Sequence, residues 1–224
     1  MEDQLSIIAK WDSDGNTHPL IYHLIDTGAM AQLLWQDGLT SGVRKQFCTW
    51  LNLDDKSVGL LFSYWSSLHD IGKASRSFQG KCEFAIPMLK SEGYPFAPLV
   101  EHDIRHHSLI SAWILDRQKE RLHLLPEEAS LKLLLALAGH HGKFPWFGEF
   151  NEETYQKANL GTGMWIEAQD QIVALMESLF APCEVACLPE DQALSNAFFN
   201  LLTGFIIIAD WLSSNTNLFQ YHKA

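Results

Sequence analysis

His69-Asp70-Ile71-Gly72-Lys73 is the stretch of this sequence that decides the fold. It closes an apolar segment in which three large side chains recur at the spacing of a helix face: Leu61, Trp65 and Leu68. Ile71-Gly72 indicates a helix stop, so we expect His69 and Asp70 at a buried helix end. Imidazole and carboxylate groups are ligands of divalent transition metals. The stretch therefore predicts a helical protein with a metal site at the end of one helix.

Ligand types of the same kind occur at two apolar positions further along the chain. His140-His141 lies between Gly139 and Gly142, where a distorted helix end can turn both rings to one side. Asp210 lies within the apolar run Phe205–Leu212, and a carboxylate buried there without partners would cost several kcal/mol. A metal would offset that cost, and so would a salt bridge or hydrogen bond to a neighbouring helix.

His23 and His107 lie on the margins of apolar helix faces, where a satisfied core histidine is the alternative to a ligand. The order His, His-Asp, His, His-His, Asp on five predicted helices favours ligands. Seven such side chains are about what two metal ions sharing one carboxylate need.

Two further histidines are expected to be exposed and outside the site. His102-Asp103 repeats the His-Asp dipeptide but follows a proline-rich connection, so we interpret it as a surface pair. His106 should face away from the ring of His107, because adjacent side chains on a helix diverge by ~100°.

Composition supports one large domain. The 224 residues are 47% apolar and carry a formal net charge of −11. The charge argues against a protein that coats nucleic acid unaided, but it does not exclude a nuclease whose metal ions bring positive charge to the site. The four cysteines form no Cys-x-x-Cys pair, and we expect reduced thiols: Cys48, Cys82, Cys183 and Cys187.

No targeting or membrane segment is expected. The acidic N-terminus lacks the pattern of a signal peptide. The most apolar stretch, Phe198–Ile208, is shorter than the ~20 residues of a membrane span. We therefore expect a cytoplasmic protein without a membrane partner.

Helical periodicity dominates and strand alternation is scarce. Residues 79–105 hold several prolines and glycines and predict a long irregular connection. The helices are predicted at 19–35, 57–70, 106–119, from Pro126 to Ala138, from Gly163 to about Phe180, and from Pro189 to about Leu212.

The order of the ligand residues resembles the HD-domain pattern, and five stretches resemble the HD nuclease domain of the CRISPR-associated nuclease–helicase of type I systems. These stretches are Ile21-Tyr22-His23, Ser67 to Lys73, His107 to Trp113, Gly139 to Gly142 and Ala209 to Leu212. The resemblance implies an all-α HD-domain helical bundle with long irregular connections, forming a single domain over residues 1–224.

The resemblance also implies roles for particular residues. One ion would be held by His23, His69, Asp70 and Asp210, and the second by Asp70, His107, His140 and His141. Asp70 would bridge the ions, and Asp70 and Lys73 would be the catalytic residues. Lys73 would contact phosphate or support a ligand, and Ser111 would contact substrate. The implied activity is cleavage of single-stranded DNA, first in the strand displaced when a guide RNA pairs with its target. The implied partners are a helicase and the guide-RNA surveillance complex.

One departure from the family concerns the helicase. Family members usually carry an ATP-driven helicase on the same chain, but no Gly-x-x-x-x-Gly-Lys-Ser/Thr motif is present here. The sequence then represents a stand-alone nuclease subunit or the N-terminal part of a longer protein. In the second case residues 213–224 would suit a linker to the helicase.

Histidine-rich coordination favours two ions of Mn, Fe, Co or Ni, with Mg as an alternative. Ligating histidines with ordinary pKa values near 6.5 predict that metal and activity are lost as the pH falls from about 7 to about 5.5.

Two other functions fit the same ligand set. An HD phosphohydrolase acting on nucleotides or cyclic nucleotides would need a closed pocket with polar contacts to a base. A non-enzymatic HD module would serve docking or regulation and would not need a complete ligand set. A nucleotide panel tests the first alternative, and metal analysis tests the second.

Aromatic side chains crowd the loop after His141: Phe144, Trp146 and Phe147. A packed loop is one interpretation. The other is a platform on which unpaired bases stack, each stack contributing ~1–3 kcal/mol, and Trp146 would then be a substrate contact.

Overall fold

The computed structural model describes residues 6–151, 153–182, 186–188 and 193–223. Within these ranges the chain forms ten α-helices, which confirms the all-α prediction. They are α1 (Leu20–Leu33), α2 (Ser41–Leu51), α3 (Asp55–Leu68), α4 (Arg76–Gln79), α5 (Ala85–Ser91), α6 (His107–Asp116), α7 (Glu127–Ala138), α8 (Glu153–Leu160), α9 (Met164–Phe180) and α10 (Asn196–Ser213).

The core lies between α1, α3, α7 and α10. α1 packs on α3 and α10, while α7 packs on α6 and α10. The segment that follows α1 approaches α3 closely because Gly59 of α3 has no side chain. A Cβ added at Gly59 would lie 2.7 Å from the Trp35 ring. The rings of Trp35, Phe47 and Phe62 pack with centroids 4.8 to 6.1 Å apart. This aromatic cluster packs α2 and α3 against the segment that follows α1, and His69 and His140 follow the ends of α3 and α7.

Several helices differ from the sequence prediction. The connection over residues 79–105 is less irregular than expected, because it contains α5. α2 was not predicted because its sequence is largely polar, yet the Thr40 hydroxyl caps it by accepting the N–H of Val43. The last helix begins at Asn196, after the capping residue Ser195. Residues 189–192, where that start was predicted, lie outside the described residues.

A small antiparallel sheet lies beside the bundle. Its strands are β1 (Ile8–Trp11), β2 (Asn16–Pro19) and β5 (His222–Lys223), in the order β1-β2-β5. β3 (Leu124–Leu125) and β4 (Ala186–Cys187) form a separate parallel pair. β5 pairs with Asn16 and Thr17 of β2, so residues 222–223 of the segment that would suit a linker are paired with the sheet.

α10 differs from the expectation that the most apolar stretch is too short to span a membrane. Its 18 residues are long and apolar enough to cross a membrane by length and composition, and 44% of that window is buried in the domain. Phe198, Leu202 and Ala209 are buried in the core. A buried core helix can have the same length and apolar composition, so these two properties are weak evidence for a membrane span.

Two cysteines agree with the expected reduced thiols. Cys48 and Cys82 are free. Cys183 and the side chain of Cys187 lie outside the described residues.

Candidate metal centre

The end of α3 places His69 and Asp70 inside the domain. α3 ends at Leu68, and the backbone then turns through Asp70 into a short 3-10 segment, Ile71–Lys73. The N–H of Gly72 donates to the buried Ser111 hydroxyl at 2.8 Å. A Cβ at Gly72 would lie 2.0 Å from the His107 carbonyl oxygen. The absence of a side chain at Gly72 therefore brings the turn onto α6 and Asp70 next to His107.

Asp70 lies at the centre of two groups of ligand atoms, each group having its atoms within 4.8 Å of one another. The first group is His23, His69, Asp70 and Asp210, and the second is Asp70, His107, His140 and His141. These are the two sets that the family resemblance implies. They come from the ends or interiors of α1, α3, α6, α7 and α10.

The two oxygens of Asp70 face different groups. Oδ2 is 3.0 Å from His23 Nε2 and 3.4 Å from His69 Nε2. Oδ1 is 3.1 Å from His107 Nε2 and 3.3 Å from His140 Nε2. This arrangement suits one carboxylate shared by two cations.

Unpaired buried atoms show that the donor set fits divalent metal ions. His69 Nε2, His140 Nε2 and Asp70 Oδ1 are buried and have no hydrogen-bond partner. The other ring nitrogens, Nδ1 of His69 and Nδ1 of His140, lie 2.8 and 2.7 Å from the carbonyls of Ser66 and Leu137. In the neutral ring, donation to a carbonyl fixes the proton on Nδ1 and leaves the Nε2 lone pair facing the site, as in metal-binding histidines.

The second group contains a contact that a cation would relieve. His107 Nε2 and His141 Nε2 lie 2.9 Å apart. At most one of two neutral rings can donate a hydrogen bond across such a contact. The donating nitrogen then carries a proton and the accepting nitrogen uses its lone pair in this hydrogen bond. His141 is exposed although His140 is buried, so this group opens to solvent at His141.

Burial keeps most of these histidines neutral. It lowers the pKa of His23 to about 3, and the pKa values of His107 and His141 to about 4. The expectation of ordinary values near 6.5 is therefore wrong for these three rings, because they are withdrawn from water.

His69 behaves in the opposite way. Burial disfavours its charged form, but the charges of Asp70 and Asp210 outweigh burial and raise the pKa to about 9. Burial likewise opposes ionisation of the two carboxyls. For Asp70 the charges of Lys73, His69 and His107 together outweigh burial, and for Asp210 the hydrogen bond and charge of His69 together with His23 do, so both pKa values are lowered.

These pKa values predict that the two groups lose metal in different pH ranges. Metal must displace the His69 proton, so the affinity of the first group for Mn²⁺ should fall about tenfold per pH unit below pH 9. In the second group, His107 and His141 stay neutral until the pH approaches about 4, so neither ring has to release a proton when metal binds above that pH. Calorimetric titration in buffers of different ionisation enthalpy would measure the released proton. Equal pH dependence of both binding events would contradict this assignment.

The raised pKa of His69 also affects the metal-free protein. Its folded-state value of about 9 exceeds the ordinary 6.5. The charged ring therefore stabilises the fold fully below pH 6.5, and this contribution is lost as the pH rises through about 9.

Lys73 and Ser111 occupy different positions relative to the site. Lys73 Nζ is 2.6 Å from Asp70 Oδ2 and is nearly buried, which fits the expected support of a ligand. Ser111 is fully buried, and its hydroxyl accepts the Gly72 N–H. Its predicted contact with substrate is not favoured, because this serine holds the turn that carries Asp70.

Asp210 is less buried than the sequence suggested. The Asp210 side chain is 16% exposed. This part of α10 lies at the protein surface, and Ile208 and Trp211 on either side of Asp210 are exposed. Asp210 Oδ1 lies 3.5 Å from both His23 Nε2 and His69 Nε2. Its partners are therefore the candidate ligands, although the lysine Lys10 is also nearby at 3.9 Å.

His102, Asp103 and His106 are arranged largely as expected. His102 and Asp103 contact each other at 2.9 Å, with the His102 side chain 75% exposed. His106 is exposed and caps α6. The prediction that it lies outside the site is only partly right, because its ring centroid is 4.2 Å from that of His107 and 4.8 Å from that of His141.

The loop after His141 forms an exposed rim of the second group. Trp146 is 77% exposed and Phe144 46% exposed, while the Phe144 ring lies against Gly139 and the Trp146 ring against Gly148. The side chain of Phe147 lies outside the described residues. Beside the loop is a cleft of about 190 Å³, lined by Arg105, His106, Ser108, Leu109, His141, Lys143, Phe144, Pro145 and Glu149. The exposed candidate ligand His141 therefore shares this cleft with two cationic side chains, Arg105 and Lys143.

The helical bundle with its two His/Asp groups is that of an HD domain, a class of metal-binding domain. The family model described as the HD domain of Cas3 matches residues 9–219. The chain belongs to this family.

Curated relatives agree with that membership. The chain is 28% identical over 227 residues to the CRISPR-associated endonuclease/helicase Cas3 of Thermus thermophilus, covering 100% of this chain and 24% of the relative. It is 25% identical to the Escherichia coli protein of that name, covering 92% of this chain and 25% of the relative. The chain thus spans about a quarter of the length of these relatives.

Two structural matches show the same fold. T. fusca Cas3 superposes with a TM-score of 0.77 and 22% identity over 96% of this chain and 23% of that one. The T. thermophilus Cas3 HD domain, crystallised in the presence of Ni²⁺, superposes with a TM-score of 0.64 and 22% identity, covering 99% of this chain and 81% of that one.

Proposed function

We propose that this chain is a metal-dependent nuclease of CRISPR defence that hydrolyses phosphodiester bonds in single-stranded DNA, with two divalent ions held by the two groups around Asp70. The observation that carries the proposal is the position of Asp70, whose two oxygens face one group each. The chemistry that such ions supply when bound is polarisation of a phosphate oxygen and activation of water.

The charges of the site favour a phosphodiester. Asp70 and Asp210 cancel only two of the four positive charges that two divalent ions bring, and the histidines around them are neutral when they coordinate. The two ions and their ligands would therefore keep a net charge of about +2, which attracts the phosphate and stabilises the additional negative charge of the transition state. This local charge would counter the overall charge of −11.

The protein residues have separate tasks in this mechanism. Asp70 and Asp210 supply the negative ligands. The carbonyls of Ser66 and Leu137 hold His69 and His140 in the tautomer that coordinates. Lys73, next to Asp70, is placed to contact a phosphate oxygen once the carboxylate is shared with cations. The exposed edge at His141 gives the strand access from solvent.

The partners follow from the relatives. Those named above are nuclease–helicase proteins, and a structural neighbour with a TM-score of 0.75 belongs to a CRISPR RNA-guided surveillance complex. We therefore propose that a helicase supplies single-stranded DNA to this domain, that a guide-RNA complex recruits it, and that it acts in the cytoplasm.

The function is tested by adding single metals to chelator-treated protein. Cleavage of single-stranded DNA is expected with Mn²⁺, Co²⁺ or Ni²⁺ and little or none with Ca²⁺, because the ligand set is rich in imidazole nitrogens and Ca²⁺ prefers oxygen. Double-stranded DNA and a panel of nucleotides and cyclic nucleotides serve as competing substrates.

The outcomes of this test separate the three functions. Full activity in excess chelator after dialysis would disprove metal dependence. Hydrolysis of a nucleotide without cleavage of DNA would favour the phosphohydrolase. Metal binding without hydrolysis of any substrate would leave the non-enzymatic module.

Trp146→Ala is expected to weaken the binding and cleavage of single-stranded DNA while leaving metal content and thermal stability unchanged. The side chain is 77% exposed and would contribute ~1–3 kcal/mol by stacking on a base. Leu179→Ala, which removes an exposed apolar side chain of α9, is the control. Fluorescence anisotropy with a labelled strand measures the affinity. A large loss of stability with normal cleavage by the folded fraction would instead make Trp146 a packing residue.

A further inference from the structure

Lys10 of β1 lies beside the first group of candidate ligands. Its ammonium group donates to the Ser214 hydroxyl and lies 3.9 Å from Asp210 Oδ1. The Ser214 hydroxyl in turn donates to the same oxygen at 2.9 Å. No sequence pattern connects residues 10 and 214, and the contact depends on the small sheet that packs β1 against the bundle.

A lysine borders each of the two carboxylates of this group. Lys73 lies 2.6 Å from Asp70 Oδ2, the oxygen that faces His23 and His69. Lys10 lies next to Asp210. The side chain of Lys10 is 20% exposed and that of Lys73 only 8%, so Lys10 is the lysine more accessible from solvent.

Two lysines in this place are unfavourable for metal binding by itself. A carboxylate that coordinates a divalent ion has less charge left to neutralise an ammonium group. Like charges brought close together raise the energy of the loaded site. A phosphate group that contacts both the ions and the lysines would restore the balance, because ammonium groups bind phosphate oxygens by charge-assisted hydrogen bonds.

We propose that Lys10 binds a non-bridging oxygen of the substrate phosphate at the first group. Lys10 and Lys73 then both supply positive charge to the same phosphodiester. This inference rests on the proposed function, since it concerns the same site. The competing explanation is that Lys10 acts as a positioning residue, holding Asp210 through Ser214.

The two explanations predict opposite effects on metal affinity. A phosphate contact predicts that Lys10→Met leaves Mn²⁺ affinity unchanged or raises it, because a like charge is removed. A positioning residue predicts that Lys10→Met weakens Mn²⁺ binding, because Asp210 loses its support. Lys10→Arg retains the charge, and Lys45→Met removes an exposed lysine of α2 as the matched control.

The experiment titrates Mn²⁺ into each variant by calorimetry, and then inorganic phosphate into the Mn²⁺-loaded proteins. Lys10→Met is expected to weaken phosphate binding about tenfold, with partial recovery in Lys10→Arg and no change in Lys45→Met. With single-stranded DNA, Lys10→Met should raise KM more than it lowers kcat. It should also reduce the slope of log affinity against log salt by about 0.7.

Two results would overturn the proposal. One is wild-type phosphate affinity in Lys10→Met. The other is a loss of Mn²⁺ affinity that accounts for the whole loss of phosphate binding. The phosphate titration does not depend on DNA cleavage, so a wild-type protein that fails to cut DNA would refute the proposed function and still allow the role of Lys10 to be decided.

Discussion

Asp70→Asn is expected to lower cleavage of single-stranded DNA by at least about a hundredfold, since loss of a residue that merely supports a ligand already costs 10–100-fold. Asparagine keeps the shape of the side chain but removes the charge and one of the two oxygens that face the groups. Metal content should therefore fall at both sites together. Loss at one site alone would show that Asp70 does not bridge them.

The same change should also affect stability. Asp70 is nearly buried and pairs with the nearly buried Lys73. Removing one partner of a buried ion pair costs about 3–5 kcal/mol, so cleavage must be compared at a temperature where urea unfolding shows both proteins folded. Asp103→Asn is the matched control, because it alters the exposed His-Asp pair. An inactive Asp103→Asn beside an active Asp70→Asn would reverse the assignment of the two pairs.

The sequence predicted the candidate ligands better than the surroundings that tune them. The predicted helix ends carry His69, Asp70, His140 and His141. A histidine or aspartate in an apolar segment can be recognised from the sequence alone. The pKa values were not predictable, because the neutral state of His23 and His107 depends on burial by distant helices. The charged state of His69 depends on Asp210, which is far away in the sequence.

The elements that were missed share a physical cause. α2 is held by its Thr40 cap and by packing of Phe47 and Leu51 rather than by a long apolar face. β1 and β2 are four residues each and are stable only as part of a sheet that packs on the bundle. Lys10 therefore had no visible connection to the site, and Ser111 gave no sign that its hydroxyl would hold the Gly72 turn.

Gly72→Ala is expected to disrupt the site through the backbone. The new Cβ would lie 2.0 Å from the His107 carbonyl oxygen and 2.5 Å from the Ser111 nitrogen. Both are atoms of the α6 backbone, which cannot rotate away as a side chain can. The turn and α6 must separate, and such overpacking typically costs about 1–3 kcal/mol or more. Because Asp70 and His107 lie on the two separated segments, their 3.1 Å contact should lengthen.

Metal affinity of the second group should consequently fall more than that of the first, since His107 belongs only to the second. Urea unfolding of the metal-free protein and Mn²⁺ titration measure the two effects. Gly42→Ala is the control, because its Cβ meets nothing within 4 Å and alanine in a helix should raise stability by up to about 1 kcal/mol. If Gly72→Ala kept wild-type stability and metal binding, the close approach of the turn to α6 would not be what places Asp70 between the two groups.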